Sequence, residues 1–157
     1  GCAVITFHTP LSREGKYATY HLVGEDFLFS LKRAPYIINS SRGEVVDTAS
    51  LLAALSVGKV KDAVIDTWEY EPDISRELLE VALLGTPHIA GYSADGKANA
   101  TRMSLEALCQ FFGIQVEFSI FPPEGSNEYD PTRDSEWLKA APKKFEWFRG
   151  NYPIRRE

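Results

Sequence analysis

Short β-branched or apolar runs that stop abruptly at polar residues, separated by segments of helical period, constrain this chain more than any other feature. Strand-type runs fall at 3–7, 36–39, 60–65 and 87–90. Between them, 25–31, 47–57 and 75–84 space apolar residues three or four apart, so that Leu51, Leu52 and Leu55, or Leu78, Leu79 and Ala82, share one helical face. Strand and helix in alternation predict an α/β fold with a parallel sheet, because parallel neighbours need a long return connection that a helix supplies. Asp47 and Ser75 can accept the first N–H groups of the second and third helices, and Gly58 suits a left-handed exit. A longer helix is expected over 93–112, with Met103, Ala107, Leu108 and Phe111 as its buried stripe and Cys109 beside them as a small hydrophobe.

The pattern changes after Gly113. Residues 115–121 alternate like an edge strand, and 122–127 (Pro-Pro-Glu-Gly-Ser-Asn) read as a linker. The division expected from this is 1–113 and 114–157. The tail, with Trp137, Leu138, Phe145, Trp147, Phe148 and Tyr152, is too short for a core of its own. It packs either on the rest of the chain or against a second subunit, where aromatic residues are enriched. The 157 residues suit about one domain. A net charge of −5 gives no general attraction to nucleic acid, and the apolar runs are far shorter than the ~20 residues of a membrane span. Cys2 and Cys109 make no disulfide framework, so a reduced, cytoplasmic protein is expected.

In a parallel sheet, ligands sit beyond the carboxyl ends of the strands. Here the runs end in His8-Thr9-Pro10, in Ser40-Ser41-Arg42-Gly43, in Asp66 followed by Glu71-Pro72, and at His88 with Ala90-Gly91-Tyr92. Arg42, Glu71 and His88 have a joint chemical logic. A guanidinium grips a carboxylate through two parallel N–H bonds. A histidine can take the proton of an alcohol, and a carboxylate beside it orients the ring and stabilises its charged form. Together they suit a 2-hydroxy acid. Singly, each has a plainer reading: Arg42 as a surface ion pair, His88 as a solvated ring, Glu71 as a loop residue, Asp47 as a helix cap. His8 divides between cofactor neighbour and loop packing. His21 reads as inert surface, and Asp95, Lys97, Lys143-Lys144 and Arg155-Arg156 as solvated charge.

The runs Asn39-Ser40-Ser41-Arg42-Gly43-Glu44-Val45-Val46-Asp47, Asp66-Thr67-Trp68-Glu69-Tyr70-Glu71-Pro72 and His88-Ile89-Ala90-Gly91-Tyr92, with His8-Thr9-Pro10-Leu11 ahead of them, resemble the D-isomer-specific 2-hydroxyacid dehydrogenases in order and spacing. The resemblance implies the second half of a Rossmann-like NAD-binding domain. It implies Arg42, Glu71 and His88 as catalytic residues, Arg42 also holding substrate. His8, Thr9, Ser40, Ser41, Asp66 and Gly91 would lie along NAD. Gly91-Tyr92-Ser93-Ala94-Asp95-Gly96-Lys97-Ala98 and the tail around Tyr129-Asp130-Pro131, Arg149-Gly150-Asn151-Tyr152 and Arg155-Arg156-Glu157 resemble one branch of that family. That branch acts on a phosphorylated 2-hydroxy acid in vitamin B6 synthesis, with Tyr92 as a substrate contact. It also implies a homodimer, with 114–157 in its dimerisation region, and no metal.

No glycine-rich pyrophosphate turn occurs in the chain, which is therefore expected to be a piece of a longer protein, without its substrate domain or phosphate ligands and inactive alone. Two other readings remain: a non-catalytic NAD-binding scaffold, and a dehydrogenase of the same family acting on another acid such as 3-phosphoglycerate.

Overall fold

A computed structural model describes residues 2–125 and 130–156. The elements follow in the order β1 (Val4–Phe7), α1 (Glu25–Ser30), β2 (Tyr36–Asn39), α2 (Thr48–Ser56), β3 (Asp62–Ile65), α3 (Arg76–Val81), β4 (Leu84–Gly85), α4 (Ala94–Phe112), α5 (Pro131–Ala140) and α6 (Phe145–Gly150), with 3-10 turns at Gly43–Val45 and Pro142–Lys144. They group into two units, Gly1–His88 with Pro131–Gly150, and Ile89–Asp130 with Asn151–Glu157.

In the first unit the four strands are parallel and ordered β1-β2-β3-β4. Phe7 pairs with Asn39, Asn39 with Ile65, and Ile65 with Gly85, so the strands finish on one row. Burial alternates along β2 and β3, with Ile37, Ala63 and Ile65 in the core beside Leu28, Leu51, Ala54 and Leu79. The caps form as expected. Asp47 accepts the Ser50 N–H at 3.1 Å, Ser75 accepts that of Leu78 at 3.1 Å, and Gly58 takes a φ of 72° after α2.

In the first unit, α3 and β4 differ from expectation. The helix expected over 75–84 stops at Val81, because Ala82 turns extended and the chain enters β4. The fourth strand is thus Leu84–Gly85 rather than 87–90, where Pro87 has no N–H to give and His88 adopts a φ of 55°.

Helices α5 and α6 belong with this sheet, which differs from a division after Gly113. Leu138 and Phe145 are fully buried in the core cluster, and the Ser135 hydroxyl accepts the Gly85 N–H at 3.0 Å. Burying those two side chains and capping the short edge strand β4 drives the docking. Trp137 and Trp147 stay exposed.

In the second unit, Ser93 caps α4 by accepting the Gly96 N–H at 3.0 Å, and Gly113 ends it at a φ of 66°. Arg156 grips Asp95 through two bonds of 2.8 and 2.9 Å, and Arg155 reaches the Ile89 and Ala90 carbonyls, so these charges are engaged rather than merely solvated. The stripe expected to be buried on α4 is not. Met103, Ala107, Leu108 and Phe111 are exposed, because no described element of this unit covers that face, and Cys109 is only half-buried. Residues 115–121 form no strand among the described residues and pair with no ladder. The linker expected at 122–127 lies partly outside the described residues, at Ser126 and Asn127, as does Tyr129 of the tail resemblance. No helix among the described residues is long and apolar enough to cross a membrane.

Candidate active site

Because the strands finish on one row, His8, Ser40, Asp66 and Thr86 begin the loops at a single sheet edge. Asn39, the last residue of β2, is 1 % exposed and must find partners for its amide. Its Nδ2 donates to the Arg42 carbonyl at 3.0 Å, and its Oδ1 accepts from the Ser41 backbone N–H and hydroxyl at 3.2 and 2.9 Å. The amide thus shapes the turn that projects Arg42. A Cβ on the next residue, Gly43, would lie 1.8 Å from the Trp68 carbonyl oxygen, so the 40s loop and the 66–72 loop press backbone to backbone. Only glycine permits that approach.

The 66–72 loop carries the second component. Trp68 is buried and its Nε1 donates to the Thr86 carbonyl at 2.8 Å. Asp66 Oδ1 accepts the Thr86 hydroxyl at 2.6 Å, and the Asp66 carbonyl accepts the His88 backbone N–H at 2.9 Å. Glu71 accepts the Trp68 N–H on one carboxylate oxygen and meets His88 Nδ1 with the other, both at 2.8 Å. The carboxylate therefore holds one ring nitrogen of His88 and leaves Nε2 for proton exchange. Arg42, Glu71 and His88 all line one cavity of about 280 Å³, together with Arg13, Tyr20, Trp68 and Tyr70. The Tyr70 phenol stands beside the Glu69 carboxylate, whose charge raises its pKa above the usual 10.0.

Of the residues expected along a cofactor, His8 meets the Thr6 hydroxyl at 2.9 Å, and Ser41 is tied to Asn39. The Thr9 hydroxyl oxygen, just past β1, is buried without a hydrogen-bond partner among the described residues. A buried hydroxyl left over at the strand-end edge, one residue past His8, fits a ligand of amide and hydroxyl chemistry such as the nicotinamide riboside end of NAD. Gly91 and Tyr92 belong to the second unit, where the Lys97 ammonium sits 4.0 Å above the Tyr92 ring.

Sequence reasoning missed His21. It is no inert surface residue: its Nε2 meets Glu69 Oε1 at 2.6 Å, and Nδ1 lies 3.9 Å from Asp47 Oδ1. These groups fall within 4.8 Å of one another, close enough to suggest a metal. The shortest contact among them, between Nε2 and Glu69, is of hydrogen-bond length. Glu69 lies 48 residues from His21 in sequence, so no local pattern announces the pair.

A family profile described as "D-isomer specific 2-hydroxyacid dehydrogenase, NAD binding domain" matches residues 1–90. An erythronate-4-phosphate dehydrogenase of Bacteroides fragilis is 58 % identical over 99 % of this chain and 49 % of its own length. The chain thus spans about half the length of the curated relatives it matches. Among solved structures, D-mandelate dehydrogenase of Rhodotorula graminis is similar with a TM-score of 0.60 at 29 % identity, over 78 % of this chain and 36 % of that one. A D-lactate dehydrogenase of Aquifex aeolicus, complexed with NAD and lactic acid, is similar with a TM-score of 0.57 at 27 % identity, over 77 % of this chain and 42 % of its own. With its parallel sheet and its matched motifs, the chain belongs to the D-isomer specific 2-hydroxyacid dehydrogenase family, of which it carries NAD-binding domain sequence.

Proposed function

We propose that this chain supplies the catalytic edge of an NAD-dependent dehydrogenase that oxidises 4-phospho-D-erythronate to its 2-oxo acid, a step of vitamin B6 synthesis. The observation that carries the reading is the Glu71–His88 contact of 2.8 Å in a cavity shared with Arg42. The likeness to erythronate-4-phosphate dehydrogenases supports the choice of acid.

The roles follow from the chemistry of the side chains. Arg42 grips the C1 carboxylate and holds C2 at the sheet edge. His88 Nε2 accepts the hydroxyl proton as the C2–O bond becomes a carbonyl, and Glu71 stabilises the ring as it gains charge. NAD, when bound, supplies the acceptor for the hydride that leaves C2, so the products are the 2-oxo acid, NADH and a proton. Thr9, Asp66 and the backbone at Ser40 and Ser41 would hold the nicotinamide end, with His8 beside them. Tyr92 and Gly91 would serve substrate and cofactor respectively. The pyrophosphate turn and the phosphate ligands would come from residues beyond these 157.

The reading extends to a cytoplasmic homodimer. Both cysteines are free thiols, and exposed apolar residues on α4 and in the tail, Phe111 and Trp147 among them, offer surface for a second subunit. The test is the steady-state rate of the full-length protein with NAD on 4-phosphoerythronate, 3-phosphoglycerate and lactate. Preference for 4-phosphoerythronate by at least tenfold in kcat/KM is expected, and equal rates on all three would defeat the assignment. NADH binding without oxidation of any of the three would favour a scaffold instead.

A further inference from the structure

We infer that His21 is a positioning residue: by pairing with the buried Glu69 it fixes the loop that delivers Glu71 to His88. This rests on the proposed roles of Glu71 and His88.

The 66–72 loop carries two imidazole–carboxylate pairs a single residue apart. Glu71 holds His88, and Glu69 holds His21 at 2.6 Å. Tyr70 between them takes a φ of 65°, a left-handed conformation that a non-glycine residue adopts only under local constraint. The constraint is visible on the Glu69 side. Its side chain is 2 % exposed, with Oε1 on His21 and Oε2 accepting the Thr48 backbone N–H at 3.0 Å at the start of α2. His21 is itself anchored. Its backbone N–H donates to the Glu44 carbonyl at 2.7 Å, its ring stacks on Tyr20 with centroids 4.0 Å apart, and its φ is 51°.

Removing the imidazole would leave the buried Glu69 carboxylate with the Thr48 backbone N–H and the Tyr70 phenol beside it, but without the ring nitrogen that meets Oε1 at 2.6 Å. A buried charge that loses its partner is strongly unfavourable, and the nearest relief is for the loop to swing Glu69 toward water. Glu71 lies two residues along the same segment, so it would leave His88 as Glu69 leaves His21. His21 touches no reacting atom and acts only through this loop.

The test uses the full-length protein and two substitutions at residue 21, one chosen for the backbone and one for the reach of its side chain. Asparagine tolerates a positive φ but is too short to reach Glu69. Glutamine carries an amide N–H about as far as the imidazole Nε2. Steady-state kinetics on 4-phosphoerythronate are read together with the His88 Nδ1–H resonance in ¹⁵N-histidine-labelled protein. His21→Asn is expected to lower kcat at least tenfold with KM within about twofold, and to shift or broaden that resonance; His21→Gln restores most of both. A purely structural His21 would lower the melting temperature while leaving the resonance and the kcat of folded protein unchanged, and that result overturns the inference. If His21→Asn does not fold, Glu69→Asp, which withdraws the carboxylate by one methylene, is read by the same criteria. Should the wild type fail to oxidise 4-phosphoerythronate, the proposed function falls while the His88 resonance still decides the positioning role.

Discussion

Gly43 and Trp68 meet so closely that a β-carbon on the glycine would lie 1.8 Å from the tryptophan's carbonyl oxygen. This contact locks the Arg42 turn to the loop that carries Glu71, and so sets the spacing of guanidinium and imidazole across the cavity. Since the obstacle is backbone on both sides, no side-chain rotation can relieve it. Gly43→Ala is expected to destabilise the fold by about 3 kcal/mol, at the upper end of overpacking costs. Chemical denaturation measures this, and a loss below roughly 1 kcal/mol would mean that the loops separate easily.

His88, Glu71 and Arg42 should fail in different ways. Removing the general base with His88→Asn should lower kcat by about 10²–10⁴-fold. Glu71→Gln keeps a neutral acceptor for the ring and should lose less. Arg42→Lys replaces a planar two-donor grip by a point charge, so it should raise KM for the hydroxy acid at least as much as it lowers kcat. Steady-state kinetics on full-length variants separate the three, and equal losses in kcat alone would argue against carboxylate binding by Arg42.

Tyr70 provides a pH signature. The negative charge of Glu69 disfavours the phenolate, with burial, Tyr20 and Asp47 adding to the effect, so the phenol titrates above 10.0. A raised folded-state value means that the stabilisation is present below the unfolded pKa and is lost as the pH climbs through the folded one. Absorbance titration at 295 nm, comparing wild type with Tyr70→Phe, should assign a late transition to this residue. Glu69→Gln should bring it back toward 10.0; an unmoved transition would remove Glu69 as the cause.

The two helices that dock on β4 should contribute strongly to stability through Leu138 and Phe145, both fully buried. Leu138→Ala and Phe145→Ala are expected to cost about 2–5 and 3–5 kcal/mol. Trp147, exposed beside Phe148, should change stability by about 0.5 kcal/mol or less when replaced by alanine. Denaturant midpoints give the comparison, and a small loss at Phe145 would show that α6 is dispensable to the sheet.

What the sequence determined by itself was local. The period of apolar residues placed β1, β2, α2 and α4 within a residue or two, because burial of one face is written every second or every third and fourth residue. Side chains that can accept backbone N–H groups, Asp47 and Ser75, marked two helix starts, because the first N–H groups of a helix have no partner within it. Polar residues at successive strand ends also named Arg42, Glu71 and His88, since a parallel sheet sends all such ends to one edge.

Tertiary structure decided whatever depends on partners distant in the chain. The stripe on α4 has the period of a buried face, yet burial needs an opposing surface, and none of the described residues of its unit provides one. β4 lies at Leu84–Gly85 rather than 87–90, and the Ser135 hydroxyl that accepts its Gly85 N–H comes from 50 residues farther along the chain. His21 looked inert because a histidine's role is set by what stands within hydrogen-bond reach, and Glu69 arrives there only when the sheet brings residues 48 positions apart together.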